Sequence, residues 1–187
     1  MKRMTLTWLA ILLAATTTAA TATAAERPMV VVEATTVATA TAAERPIVVV
    51  EADARYRVVY DIRSDKLDAG IARGLYYARG LYEAYRKQGV TPDRIDAHLV
   101  LHGDAAVMLL RDEAYQNATG DPFAVNTNAK IVQDLIDLGV SVEICHSSMR
   151  SKGWKPADVL PRVAIVHDGY TRLIKLQNDG YAYIGGF

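Results

Sequence analysis

Cysteine is nearly absent from this chain of 187 residues: Cys145 stands alone. One thiol excludes an intramolecular disulfide framework and a Cys-x-x-Cys dithiol centre. It leaves a thiol that is free, bridged between chains, or reactive. Excess charge of either sign is also missing, with 21 basic and 21 acidic residues. No whole-chain field therefore gathers nucleic acid or an acidic membrane surface. Basic runs interleaved with aromatics do not occur, which sets nucleic-acid binding aside. The strand-turn-helix pattern at Leu101-His102-Gly103-Asp104-Ala105 lacks a Gly-x-Gly-x-x-Gly, and there is no Walker lysine motif. Without those phosphate cradles no cofactor is expected. Long hydrophobic runs are wanting too: the apolar stretch Leu6 to Ala15 is too short to span a bilayer comfortably.

What is present begins with that stretch. Positive charge at Lys2 and Arg3, a short apolar core and Ala-x-Ala patterns at Ala20-Thr21-Ala22 and Ala22-Thr23-Ala24 are the layout of a cleavable export signal. The expectation is a signal peptide over residues 1–25, cleavage near Ala25 or Glu26, and a periplasmic mature protein with no stable membrane span. Thr21 to Ala34 then recurs almost unchanged from Thr39 to Ala52, with Ile47 in place of Met29. Two copies are too few for a stacked repeat architecture. Residues 26–54 read as a duplicated, flexible Ala/Thr/Val tail, which offers a second cleavage site near Ala43-Glu44.

From residue 55 to 187 the composition is that of one compact domain, with length for a single core. Strand-like and helix-like periods alternate. Tyr56 to Ile62, Arg94 to His102, Val140 to Cys145, Arg162 to Val166 and Tyr181 to Ile184 read as strands. Leu67 to Gln88, Ala105 to about Gln116, a segment capped by Asn126 or Thr127 and ending at Gly139, and Tyr170 to Asn178 read as helices. Asn117 to Pro122 and the stretch after Cys145 read as loops. The order predicts an α/β fold: a single doubly wound, mainly parallel sheet with helices on both faces.

In such a sheet, ligands and chemistry collect at the carboxyl ends of the strands. Cys145 ends one strand, with His146, Arg150 and Lys152 close behind it. Thiolate character rises near positive charge, so these neighbours point to a nucleophilic sulfur. The competing reading is a small buried hydrophobe, the ordinary fate of a free cysteine. His102 and His167 end two further strands and are candidates to orient a sulfur compound or tune the thiol. Together with Cys145-His146 they also raise the alternative of a zinc or copper site, although the spacing matches no metal motif. His98 shares a face with His102 and is expected to pack under a helix.

Leu138-Gly139-Val140 running into Glu143-Ile144-Cys145, then Met149, Gly153, Asp158-Val159-Leu160-Pro161 and Leu176-Gln177-Asn178-Asp179-Gly180-Tyr181-Ala182-Tyr183-Ile184 resemble the DsrE/DsrF-like sulfur-relay proteins. The likeness runs from Arg57 to Ile184 and is nearest to exported single-domain members. It implies a small α/β sandwich assembled as a homotrimer or homohexamer. It also implies that Cys145 accepts and passes on sulfane sulfur as a persulfide. The implied partners are a sulfur donor or acceptor protein, or a small sulfur compound. A sulfurtransferase and a sulfur carrier both satisfy these features. The alternative class is a non-catalytic oligomeric binding or scaffold protein that keeps the fold.

Overall fold

The computed structural model describes residues 47–187. The expected export signal, both cleavage sites and most of the duplicated tail lie outside them. The described elements in chain order are β1 (Tyr56–Ile62), the short hairpin β2 (Leu67–Asp68) and β3 (Ile71–Ala72), α1 (Arg73–Lys87), β4 (Ile95–Leu101), α2 (Asp112–Thr119), α3 (Ala129–Asp137), β5 (Ser141–Cys145), α4 (His146–Lys152), β6 (Ala164–Val166), α5 (Gly169–Asn178) and β7 (Ala182–Ile184).

Five strands form one parallel sheet in the order β6-β5-β4-β1-β7. From β1 the chain steps in one direction through β4 and β5 to β6, then returns past β1 to place β7. Right-handed crossovers put helices on one face while the chain advances and on the other when it turns back. Accordingly α1, α3 and α4 contribute Leu75, Tyr82, Leu135 and Met149 to one large core, against Val58, Tyr60, Ile62, Leu99, Leu101 and Ile144 of the sheet. The opposite face carries α5, whose Leu173 and Leu176 cover Val59 and Val100. The expected α/β sheet with helices on both faces is the observed fold, with unequal cover.

Four helix readings change. The long helix predicted from Leu67 starts at Arg73, because Ala69 and Gly70 adopt left-handed backbone angles (φ 50° and 78°) that turn β2 into β3. Paired left-handed residues are the signature of a tight hairpin. Leu67 and Ile71 merely fall at helical spacing, and neither Ser64 nor Asp65 caps the helix, whose N-cap is Ala72. The helix expected from Ala105 is two pieces, a 3-10 segment Gly103–Leu109 and then α2, separated by extended Arg111. Because α2 runs to Thr119, the loop predicted from Asn117 begins only at Gly120. The N-cap of α3 is Asn128. Asn126 instead donates from its buried amide to the carbonyls of Met108 and Leu110, at 2.9 and 2.7 Å. Most consequentially, the loop expected after Cys145 is α4, with Cys145 itself at the N-cap position.

Candidate functional site

The register fixes which residues meet. Leu101 pairs with Ile144, and Cys145 pairs with Val166. One step beyond Leu101 and Ile144, His102 and Cys145 therefore emerge side by side on the face covered by α5. One row back on the same face stand Asp61, Val100 and Glu143. The carboxyl edge of the sheet thus carries a polar cluster under the start of α5.

Cys145 is 3% exposed, and its Sγ accepts a hydrogen bond from the backbone N–H of Gly169 at 3.2 Å. Gly169 opens α5, and Asp168 caps it: the Asp168 carboxylate accepts from Thr171 N–H at 3.1 Å. That amide holds the Asp168 carboxyl below its usual range. A Cβ added at 169 would lie 3.0 to 3.3 Å from three carbons of His102, so any larger residue there needs His102 or the start of α5 to give by a few tenths of an ångström. The thiol therefore sits between the amino ends of two helices.

His102 is buried, and its Nε2 meets Asp61 Oδ1 at 2.7 Å. The other Asp61 oxygen accepts from the Tyr183 hydroxyl, also at 2.7 Å. That hydrogen bond, with some burial, keeps the Tyr183 phenol protonated above its ordinary range. The Tyr170 and His102 ring centroids lie 5.0 Å apart in a T-shaped arrangement. His102, Gly103, Cys145, Ser147, Ser148, Ser151, Asp168, Gly169 and Tyr170 line one cavity of about 270 Å³. A water's share of liquid volume is about 30 Å³, so the cavity admits a small solute of several heavy atoms.

Among the residues singled out in the sequence, Cys145 and His102 share this cavity. His146, Arg150 and Lys152 do not line it. His146 opens α4 half-buried, Arg150 is exposed, and the Lys152 ammonium lies 3.5 Å from Asp104. Where positive side-chain charge is expected at the thiol, the group that meets it is the backbone N–H of Gly169. His167 is exposed in an adjoining depression with Arg172 and Lys175, and its carbonyl accepts from Ser147 Oγ at 3.3 Å. Among the described residues no three His, Cys, Asp or Glu side chains gather in a way that could hold a metal ion. The strand-end residues of the alternative metal reading are not assembled into such a centre.

Sequence reasoning offered Ser147 and Ser148 as donors near the thiol, and both line the cavity; it missed Asp61, Gly169 and Tyr183 as site residues. Asp61 is the one acid in the apolar strand Tyr56 to Ile62, and an isolated charge at a strand's carboxyl end was the available signal. A second cluster lies deeper on the same face. Glu143 is 1% exposed and is gripped by Arg172 through Nε at 2.7 Å and Nη2 at 2.8 Å, with His98 Nδ1 at 2.6 Å. Burial alone would raise the Glu143 pKa; the guanidinium and the imidazole outweigh it and hold it at about 2. As expected, His98 lies on the His102 face under a helix, here α5.

No match to a curated protein was found. Two solved structures share the fold. The protein of unknown function MTH1491 from Methanobacterium thermoautotrophicum is 23% identical, with a TM-score of 0.52, over 70% of this chain and 99% of that one. The ychN protein from E. coli is 17% identical, with a TM-score of 0.50 and the same coverage of 70% and 99%. At these identities the likeness concerns the fold alone. A model of the DsrE/DsrF-like family matches residues 72–185, a span that holds His102, Cys145, Gly169 and Tyr183. Matched over more than half of its length, the chain belongs to the DsrE/DsrF-like family, which is associated in general with sulfur relay.

Proposed function

We propose that the protein carries sulfane sulfur as a persulfide on Cys145, taking it from a donor and releasing it to an acceptor. The observation that carries this reading is the Gly169 N–H aimed at Cys145 Sγ in the wall of a solute-sized cavity. Sulfur transfer needs a nucleophilic sulfur and stabilisation of the negative charge spread along the reacting sulfurs. The backbone N–H of Gly169 at the amino end of α5 supplies the second without a cationic side chain. In the transfer, Sγ bonds to the outer sulfur of a donor R–S–SH while the donor's own S–S bond breaks. R–S⁻ departs and takes up a proton, so sulfur moves with no net oxidation. The geometry also suits a second cycle in reverse toward an acceptor thiol. We place this chemistry in an exported, periplasmic homotrimer or homohexamer, on the strength of the amino-terminal pattern and the family.

The competing reading, a thiol that only packs in a scaffold protein, draws on the 3% exposure of Cys145. Mass spectrometry of native protein incubated with inorganic polysulfide separates the two. One added sulfur on Cys145, lost entirely in Cys145→Ser with fold and assembly intact, is the expected result. Labelling of Cys145 by polysulfide or iodoacetamide only after denaturation would make the protein a scaffold.

A further inference from the structure

The cavity beside Cys145 has an unusual balance of groups. Its lining contains three serines, a tyrosine, a histidine and the Asp168 carboxylate, and neither lysine nor arginine. A doubly charged donor such as thiosulfate would enter against a carboxylate with no cation to meet it. The sulfite it leaves behind is also a stable anion that needs no proton at neutral pH. A thiol persulfide differs on both counts. Its reacting sulfur group brings at most one negative charge, and its leaving group is an alkyl thiolate, whose conjugate acid has a pKa of about 8.5 for a cysteine-like thiol. Departure of such a group is helped by a proton donor.

His102 is placed for that task. Asp61 engages Nε2, and since Asp61 also accepts from Tyr183, its carboxylate is the acceptor and Nε2 carries the hydrogen. That fixes Nδ1 as the free nitrogen of the neutral ring. No buried side-chain nitrogen or oxygen among the described residues lacks a hydrogen-bond partner, and Nδ1 has no partner among them, so Nδ1 is not sealed from solvent; His102 lines the cavity. Gly169 packs close to His102, the Tyr170 ring stands in a T-shaped contact with the imidazole, and the Gly169 N–H meets Cys145 Sγ. The thiol and the imidazole do not hydrogen-bond to each other; both face the space where a donor's two sulfurs would lie.

We infer that His102, positioned by Asp61, is the acid–base residue of sulfur loading, and that the donor is a thiol persulfide rather than thiosulfate. This rests on the persulfide reading of Cys145. The Cys145 thiol proton passes to Nδ1 through solvent in the cavity that both residues line, Sγ bonds to the donor's outer sulfur, and the donor S–S bond breaks. Nδ1 then returns the proton to the departing inner sulfur. Cys145–SH and R–S–SH become Cys145–S–SH and R–SH, with no change in total oxidation state. Asp61 stabilises the imidazolium formed between the two transfers, a division of labour shared with hydrolase triads.

The test is the single-turnover loading rate of Cys145, followed by mass spectrometry with three donors: an alkyl persulfide (cysteine persulfide), an aryl persulfide with an acidic leaving thiol, and thiosulfate. In the native protein the alkyl persulfide loads faster than thiosulfate. His102→Gln slows alkyl persulfide loading by about 100-fold or more, the low end of general acid–base effects, and slows aryl persulfide loading clearly less, because an acidic leaving thiol dispenses with the acid but not with the base. Asp61→Asn gives a smaller loss with the same donor selectivity. A variant that merely disturbs the fold would slow both persulfides equally, and that outcome overturns the inference. So does faster loading from thiosulfate, or an unaltered alkyl rate in His102→Gln. If His102→Gln does not fold, the native protein decides: a shallow dependence of rate on leaving-thiol acidity supports the acid, and a steep one refutes it. Failure of the native protein to load from any donor overturns the persulfide reading and this inference together, whereas loading with no role for His102 overturns this inference alone.

Discussion

Glu143 illustrates how one residue can be both a burial cost and an anchor. A carboxylate at 1% exposure is tolerated only because Arg172 grips both oxygens, with His98 and the Ser141 hydroxyl also on Oε1. Arg172 belongs to α5, so the pair ties the cysteine's helix to the strand that carries the cysteine. The folded-state pKa of Glu143, about 2, lies below its ordinary 4.5. The ionised pair therefore contributes fully above the ordinary value, and the contribution is lost as pH falls from there through about 2. Linkage puts it on the order of 3 kcal/mol. Denaturant titrations across that acid window should show native stability falling more steeply than that of Glu143→Gln, whose side chain does not titrate. Parallel curves would mean that Glu143 is not held ionised. At neutral pH the same variant should lose about 3 kcal/mol, as expected when one partner of a buried pair is removed.

At the scale of elements, the sequence displayed what periodicity encodes and hid what turns and packing decide. All five sheet strands follow from alternation between apolar runs and helical spacing, and the stop before the cysteine strand from Gly139, at φ 91°. The hairpin at Ala69-Gly70 was masked by the helical spacing of Leu67 and Ile71. The helix α4 was hidden because Met149 is its only buried residue and Ser147-Ser148 read as loop. The site was half legible. Cys145 and His102 came from strand ends, but Asp61 and Gly169 need the strand order, which no local pattern states. Gly169 is where element packing meets chemistry. In Gly169→Ala the new methyl presses on a His102 ring fixed by Asp61, so the amino end of α5 must move away from Sγ. The expected outcome is a stability loss of about 1–2 kcal/mol, typical of overpacking, with slower sulfur loading. Leu173→Ala supplies the control: it cuts α5 packing by about 2–5 kcal/mol without touching the amide. Loading that slows equally in both variants would detach the Gly169 N–H from function.

For the whole molecule, the unequal cover of the two sheet faces is the feature with consequences. Among the described residues one helix shields the face that holds Cys145, His102 and Glu143, and its outer side leaves Tyr170 56% and Ile174 58% exposed, four positions apart on one side of α5. Tyr183 of β7 is 48% exposed on the same sheet face. Neighbouring exposed apolar side chains of this size mark association surfaces. The proposed homotrimer or homohexamer would find its contact there. Light scattering at micromolar concentration should return the mass of three or six protomers, and a monomer would overturn the proposal. Ile174→Asp should shift the assembly toward monomers while the circular dichroism spectrum stays that of the native fold. An unchanged trimer would move the contact elsewhere. Because Tyr170 also lines the Cys145 cavity, an assembly built on α5 would shape the cavity's mouth. Sulfur loading in Ile174→Asp should then change even though no group that touches sulfur has been altered. An unchanged rate in a demonstrably monomeric variant would make each protomer a complete site on its own.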